Sequence, residues 1–407
     1  MIHGSESRFT SFFEISLYLI SLAYAGTVSL RALSYKKGIL KSRRLPCTVI
    51  SIGNVTVGGT GKTPLTIHMA GLLRGLGYKV AVLSRGYKGC KEKSGGVVSD
   101  GQRIHMSPEA AGDEPYLMAL KLDGVPVLVG RDRFKIGMLA IREFGSEILV
   151  LDDAFQHLQL DRDLDLVLLD AVCPFGNGHF LPRGILREPL RQLVRGDAFV
   201  LTRSDPVALR SGSRVLNTLT KGRPVFQCMH VPDVLTEVKT LPFAKGEKVS
   251  YDLDFLKGRR VLAFSGIARN EDFRMMIENQ GCAVARFLSF PDHHKYSDED
   301  LETIRRSADQ SGVEHVVTTE KDYVRISHRV SWPIKLLALG IRVSFGDAEK
   351  AFSSYLSKKV RSLRGNRLRA QRFRVHRKAE PTSPKHWLRR LKPSRPPRKL
   401  GERAGDS

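Results

Sequence analysis

The chain is poor in the residues that staple small folds. It has five cysteines in 407 residues, Cys47, Cys90, Cys173, Cys228 and Cys282, and no two lie within four positions of each other. That spacing excludes a cysteine-rich zinc site and a CxxC redox pair, and an odd number of scattered thiols fits a reducing compartment. Acids are also scarce: 42 Asp and Glu face 66 Lys and Arg, for a net charge of +24. Composition excludes collagen, coiled-coil and polytopic membrane classes. A 42% hydrophobic chain of this length makes a packed core and two or three domains of about 150 residues each.

Charge concentrates at the C-terminus. Residues 358–407 hold 18 Lys and Arg against Glu380, Glu402 and Asp406, and prolines 381, 384, 393, 396 and 397 interrupt them. Such a segment has little with which to build a core and reads as a basic, mostly disordered tail, with a basic helix near 358–378. It can bind anionic lipid or another polyanion, or act as a solubilising extension. No zinc-finger, RNP-like or helix-turn-helix signature accompanies it, so no specific nucleic-acid partner is expected.

The N-terminus carries the one membrane signal. Residues 15–30, ISLYLISLAYAGTVSL, are uncharged, and Arg31, Lys36, Lys37, Lys41, Arg43 and Arg44 come next with no acid between them. The length is just short of the ~20 residues that span a bilayer, so the segment over 11–34 either crosses or lies in the interface. The positive-inside rule puts the chain after this segment in the cytoplasm. A buried first helix is the alternative.

The middle alternates short apolar runs, at 47–52, 79–83, 125–129, 148–151, 165–169, 198–201, 260–264, 315–318 and 335–339, with helical segments such as 62–76 and 131–144. Continuous apolar runs suit strands buried on both faces. The pattern predicts an α/β fold with a largely parallel sheet. Residues 94–101 read as a hairpin or surface excursion, and a boundary falls near 205–255.

Strand 47–52 runs into Gly53-Asn54-Val55-Thr56-Val57-Gly58-Gly59-Thr60-Gly61-Lys62-Thr63-Pro64. The GKT end fits a phosphate loop, although Thr56 stands where the general pattern has Gly. Its glycines let backbone N–H groups turn inward, Lys62 reaches the β- and γ-phosphates, and the Thr63 hydroxyl binds Mg²⁺. A second strand, 148–151, ends in Asp152-Asp153, acids suited to hold that Mg²⁺. Adjacent strand residues point opposite ways, so one of the two carries most of the role. Asp113-Glu114 opens a helical stretch, where acids are ordinary caps or a hydroxyl-accepting base. Asp292-His293-His294 precedes a helix capped at Ser297; a His there can polarise an Asp base or contact phosphate. Arginines beside glycines, including Arg131, Arg133 and Arg187, suit phosphate.

Taken in order, GNVTVGGTGKTP, SRGYKG, GDEPYLMA, GRDR, LDDAFQH, FLPRGILREP, LTRSD, FSGIARNEDF, FPDHHKYSDEDL and TTEKDYVR resemble the tetraacyldisaccharide 4′-kinase (lipid A 4′-kinase) family over roughly 11–340. The resemblance implies transfer of the γ-phosphate of ATP, with Mg²⁺, to the 4′-hydroxyl of a tetraacyldisaccharide 1-phosphate lipid A precursor. It implies work at the cytoplasmic face of the bacterial inner membrane, among its lipids, anchored by the N-terminal helix. It implies catalytic roles for Asp113 and His293, with His294 the weaker match. The nucleotide loop would be Thr56, Val57, Gly58, Gly59, Thr60, Gly61, Lys62 and Thr63; the metal residues, Thr63, Asp152 and Asp153. Substrate or supporting roles would fall to Glu114, Arg131, Arg133, Gln156, His157, Arg187 and Glu188. The fold expected is a P-loop NTPase-like parallel core over 45–205 and a second, smaller α/β part over 206–345. A P-loop ATPase or GTPase switch without a small-molecule acceptor is the rival. Thr202-Arg203-Ser204-Asp205 faintly echoes a guanine-reading NKxD, but a DxxG is missing.

Overall fold

The computed structural model describes residues 3–203, 220, 222–238, 248–326, 329–330 and 332–379. Residues 1–360 form one compact unit; residues 361–407 form another, whose described part, 361–379, is helical.

The strands are β1 (Thr48–Asn54), β2 (Val80–Ser84), β3 (Gly96–Ser99), β4 (Val127–Val129), β5 (Ile148–Leu151), β6 (Leu164–Asp170), β7 (Ala198–Thr202), β8 (Val225–Val238), β9 (Lys248–Tyr251), β10 (Arg260–Ser265), β11 (Ala283–Ser289), β12 (His315–Thr319) and β13 (Lys335–Ser344). The helices are α1 (His3–Lys36), α2 (Lys62–Gly75), α3 (Pro108–Ala111), α4 (Asp113–Lys121), α5 (Arg133–Phe144), α6 (Asn270–Glu278), α7 (Asp298–Ser311), α8 (Glu320–Ile326) and α9 (Glu349–Ala379).

One sheet runs through the unit in the order β11-β10-β12-β13-β8-β7-β6-β1-β5-β2-β4-β3, with β9 added to β8. The P-loop half is parallel from β4 to β7, and β3 folds back antiparallel on β4. Burial on both faces explains the apolar runs. Val49, Ala81, Leu83, Leu149 and Leu151 pack with Ile136 and Ala140 of α5, and Leu65, Met69, Ala70 and Leu73 bury one side of α2. The second half repeats the logic. Along β10, Val261 and Ala263 meet Phe273 and Ile277 of α6, whereas Leu262 and Phe264 meet Leu301, Ile304 and Ala308 of α7.

The halves are joined through β8. Its first residues pair parallel with β7, Val225 opposite Phe199 and Cys228 opposite Thr202. From Met229 onward it pairs antiparallel with β13, Met229 opposite Ser344. A 14-residue strand therefore stands inside the stretch where the sequence reads as a break.

The last helix starts earlier than the basic run predicts, at Glu349. Phe352, Leu356 and Val360, one helical turn apart each, are completely buried. Phe352 stacks on Phe345 at 4.1 Å and meets Phe226 of β8 edge-on at 5.2 Å. Residues 380–407 of the expected tail lie outside the described residues. Phe352→Ala should lower stability by about 3–5 kcal/mol through lost burial and a residual cavity, read as a lower urea midpoint with an unchanged slope.

Candidate active site

The loop between β1 and α2 is fixed by its own polar residues and by a second segment. Asn54 Nδ2 donates to Thr60 Oγ1 at 2.8 Å. Thr56 bridges Leu186, the Val57 amide donates to the Ile185 carbonyl and the Arg187 amide to the Val55 carbonyl, both at 2.8 Å. The segment around LPRGILRE is thus the backbone partner of the loop. Gly61, the N-cap of α2, has φ 80°, and a Cβ there would sit 2.1 Å from His230 Nε2; both facts demand glycine. Val57, Gly58, Gly59, Gly61, Lys62 and Thr63 line a cavity of about 1170 Å³. Thr56 and Thr60 are buried bracing residues behind it.

β5 delivers Asp152 and Asp153 to the same cavity. Asp152 is buried and accepts a hydrogen bond from Thr66 Oγ1 at 3.1 Å. Burial, helped by Glu114 and Asp153, pushes its carboxyl up to about 7. Asp153 accepts from Arg187 Nη1 on both oxygens at 2.8 Å and lies 3.7 Å from Lys62 Nζ. Burial would raise the Asp153 carboxyl, but Lys62 and Arg187 outweigh it and hold it below its ordinary value. Burial also pulls the Lys62 ammonium down against the pull of Asp153. Thr63 hydroxyl and aspartate oxygens are the hard donors Mg²⁺ takes, and one or two carboxylates with substrate phosphates suffice. Burial disfavours the charged form of Asp152, and a divalent cation beside it would favour that form. The residues present fit the ion. Among the described residues no cluster of three or more His, Cys, Asp and Glu could hold a metal ion by itself.

The opposite wall comes from the first turn of α4 and from the second half. Lys321 of α8 pairs with Glu114 at 2.5 Å, and Arg325 Nε donates to Asp113 Oδ2 at 2.7 Å. Lys321 holds the Glu114 carboxyl down at about 2 against the effect of burial. His293 lines the cavity with φ 58°, its ring edge toward Tyr87. Burial lowers its pKa; Asp292 opposes and Lys321 and Arg325 reinforce this. His294 is turned away: its Nε2 lies 3.0 Å from Asp300 Oδ2 and its ring stacks on Phe290.

Of the other expected residues, Arg131, Arg133, Gln156, His157 and Arg187 line the cavity. Glu188 lies beneath it: Gln156 Nε2 donates to Glu188 Oε1 and to the Asn54 carbonyl, both at 2.7 Å, and Arg195 pairs with Glu188 at 2.6 Å. Motif position alone assigns no role to Asn54, His230, Lys321 or Arg325, although GNVTVGG and TTEKDYVR contain three of them. Arg203 Nη2 of the TRSD motif donates to both carboxylate oxygens of Asp170, which Arg269 also contacts at 2.9 Å; Ser204 and Asp205 lie outside the described residues. Among the described residues, the four non-glycine residues with positive φ, Lys88, Asp153, Arg203 and His293, all line the cavity.

α1 reaches this site as well. The Tyr24 hydroxyl donates to the Arg187 carbonyl at 3.0 Å, Arg31 Nη1 to the Gln156 carbonyl at 3.2 Å, and Arg183 lies over the Tyr18 ring. Phe13–Lys36 is long and apolar enough to cross a membrane.

Comparison with known proteins gives the family. The family described as tetraacyldisaccharide-1-P 4′-kinase matches residues 13–361. A tetraacyldisaccharide 4′-kinase of Desulfatibacillum aliphaticivorans is 46% identical over 84% of this chain and 92% of its own length. One from Syntrophus aciditrophicus is 42% identical over 81% and 90%. The crystal structure of LpxK from Aquifex aeolicus in complex with ATP superposes with a TM-score of 0.68 at 35% identity, covering 86% of this chain and 99% of that one.

His157 supplies a pH prediction. Burial, with Arg133, Arg162 and Arg31, pulls its pKa down to about 3. The unfolded chain therefore takes up a proton that the folded one refuses, and stability falls as pH drops from about 6.5 toward 3. Urea unfolding at pH 7 and pH 5 should show a smaller acid loss for His157→Gln than for the wild type.

Proposed function

The chain belongs to the tetraacyldisaccharide-1-P 4′-kinase family, and from that premise we propose which of its residues carry the reaction. The protein transfers the γ-phosphate of ATP to the 4′-hydroxyl of a tetraacyldisaccharide 1-phosphate, a precursor of lipid A. The ATPase or GTPase switch is not favoured. The observation that carries the assignment is one cavity lined by Val57, Gly58, Gly59, Gly61, Lys62 and Thr63 of the loop, by Asp152 and Asp153, and by Asp113 and His293.

ATP phosphates lie along the loop amides, with Lys62 and Arg187 as their cations. Thr63 and Asp152 or Asp153 hold Mg²⁺, which supplies charge neutralisation at the phosphates. Asp113 accepts the proton of the sugar hydroxyl, assisted by His293. The sugar oxygen bonds to the γ-phosphorus as the bond to the ADP oxygen breaks. Catalysis here is mainly positioning and electrostatics. Glu114 keeps Lys321 at the cavity wall. Arg131, Arg133, Gln156 and His157 contact or shape the substrate side, and Glu188 supports Gln156.

The membrane arrangement rests on α1. Its contacts at Tyr18, Tyr24 and Arg31 tie about 20 Å of helix to the body, and a segment so tied cannot thread a bilayer without dragging the 183–187 loop into hydrocarbon. Ile15, Leu19, Ile20, Leu22, Leu30 and Leu33 stay exposed. This supports an interfacial helix in the cytoplasmic leaflet of the bacterial inner membrane, with the acyl chains of the substrate beside it. Residues beyond 361, outside the family match, add positive charge suited to anionic lipid.

Asp113→Asn should cut kcat by about 10²–10⁴-fold while ATP affinity stays nearly unchanged, measured as label transfer from γ-labelled ATP to the lipid acceptor in detergent with Mg²⁺. Equal losses in rate and ATP affinity would remove Asp113 from the base role. Leu19→Glu with Ile20→Glu should lower partitioning onto lipid vesicles by about tenfold or more, given ~1.5–3 kcal/mol per buried aliphatic side chain, with melting unchanged; equal partitioning would take α1 out of the interface.

A further inference from the structure

Arg325 is the hub of the wall opposite the phosphate loop. Its side chain is nearly buried, and every arm of its guanidinium is used. Nε donates to Asp113 Oδ2 at 2.7 Å. Nη1 donates to Asp322 Oδ1 at 2.8 Å and to the Gly266 carbonyl at 3.2 Å. Nη2 lies 3.3 Å from His293 Nδ1.

The last contact has a chemical consequence. A guanidinium has donors and no acceptor. It can hydrogen-bond a ring nitrogen only where that nitrogen offers its lone pair. Nδ1 is then unprotonated and the single ring proton sits on Nε2. The backbone enforces the pose. The His293 amide donates to the Gly266 carbonyl at 3.1 Å, and the Gly266 amide donates to Asp322 Oδ2 at 3.0 Å. Asp322 is itself fully buried and accepts from Thr319 Oγ1 at 2.7 Å. The loop carrying His293 thus meets the helix carrying Arg325 directly at the ring and again through Gly266, which Asp322 and Arg325 both hold. The charged groups facing the ring are Asp292, Glu114, Lys321 and Arg325, and burial with the two cations favours the neutral ring.

We propose that Arg325 is a positioning residue for the transfer step: it holds His293 as the Nε2–H tautomer and clamps Asp113 Oδ2, leaving Asp113 Oδ1 as proton acceptor and His293 Nε2–H as hydrogen-bond donor toward the reacting oxygens. This rests on the reading of Asp113 and His293 as the reacting pair. A lysine cannot replace the fork, because one ammonium cannot reach Asp113, Asp322 and Nδ1 in the same planar array.

The test combines ring nitrogen-15 NMR with kinetics on the full chain. Wild type, Arg325→Lys, Arg325→Gln and Asp113→Asn are compared, with His293→Gln used to assign the His293 signals. The expected wild-type spectrum at neutral pH shows a protonated Nε2 and an unprotonated Nδ1. In Arg325→Gln the tautomers mix, the ring titrates at higher pH because a cation has left, and the acid limb of kcat moves up with it. kcat should fall by about 10²-fold, the scale of a misplaced catalytic group, with KM for ATP changed far less. Arg325→Lys should recover only part of the rate.

A proton on Nδ1 in the wild type overturns the proposal, and does so even where both Arg325 variants fail to fold. An unchanged His293 spectrum in a folded Arg325→Gln overturns it too. Full turnover in Asp113→Asn would instead remove the reacting pair itself. Lost turnover in Asp113→Asn together with an unmoved His293 signature in Arg325→Gln would remove only the role of Arg325.

Discussion

Two acids on the first turn of α4 face two cations on α8, and the shape of the cavity depends on those pairs. Glu114 with Lys321 and Asp113 with Arg325 connect residues more than two hundred positions apart. Partly buried ion pairs add little net stability, because desolvation offsets the attraction, but losing one partner strands a charge. Their use is in register. α4 belongs to the P-loop half and α8 to the second half, and the pairs set where one lies against the other. The shared strand β8 makes the two halves a single sheet; the ion pairs decide how the walls above it face each other.

Beside the phosphate loop the charges are paired with one another. Lys62 and Arg187 are engaged with Asp153, and Lys321 with Glu114. Asp152 has only the Thr66 hydroxyl as a side-chain hydrogen-bond partner among the described contacts, and burial raises its pKa. In the proposed reaction a triphosphate in the loop would compete with Asp153 for Lys62 and Arg187, and so leave that carboxylate to a cation. The pairing of loop 55–57 with 185–187 ensures that Arg187 is already in place.

Much of this was legible in the sequence where the signal is local. A strand, a glycine-rich turn and GKT in immediate succession fix β1, the loop and α2. Apolar runs mark β2, β5, β6, β7, β10, β12 and β13, because strands covered on both faces need no alternation. β11 escaped since its side chains are mostly exposed at the sheet edge, and no apolar run marks it. β8 escaped because it changes partners midway and carries polar residues such as Gln227, His230 and Asp233. In the site, Asp113, Lys62 and the aspartate pair were visible from motif position. Lys321 and Arg325 were not, since what defines them is contact across 207 and 212 residues, which no spacing rule encodes. Thr56 and Glu188 were visible as motif members, but only the structure shows them bracing the cavity from behind.

The four left-handed residues at the cavity have a consequence for anyone who would harden this enzyme. Non-glycine residues at such φ values cost of order 1–3 kcal/mol each and persist where surrounding contacts over-determine them. Replacing Asp153 or His293 by glycine would relax the backbone, and a search ranked by thermal tolerance alone would favour that change. Such a search would also discard the carboxylate that engages Lys62 or the ring that meets Arg325. Thermostable variants of this chain should therefore be sought on its outer helices, where backbone comfort and chemistry do not compete.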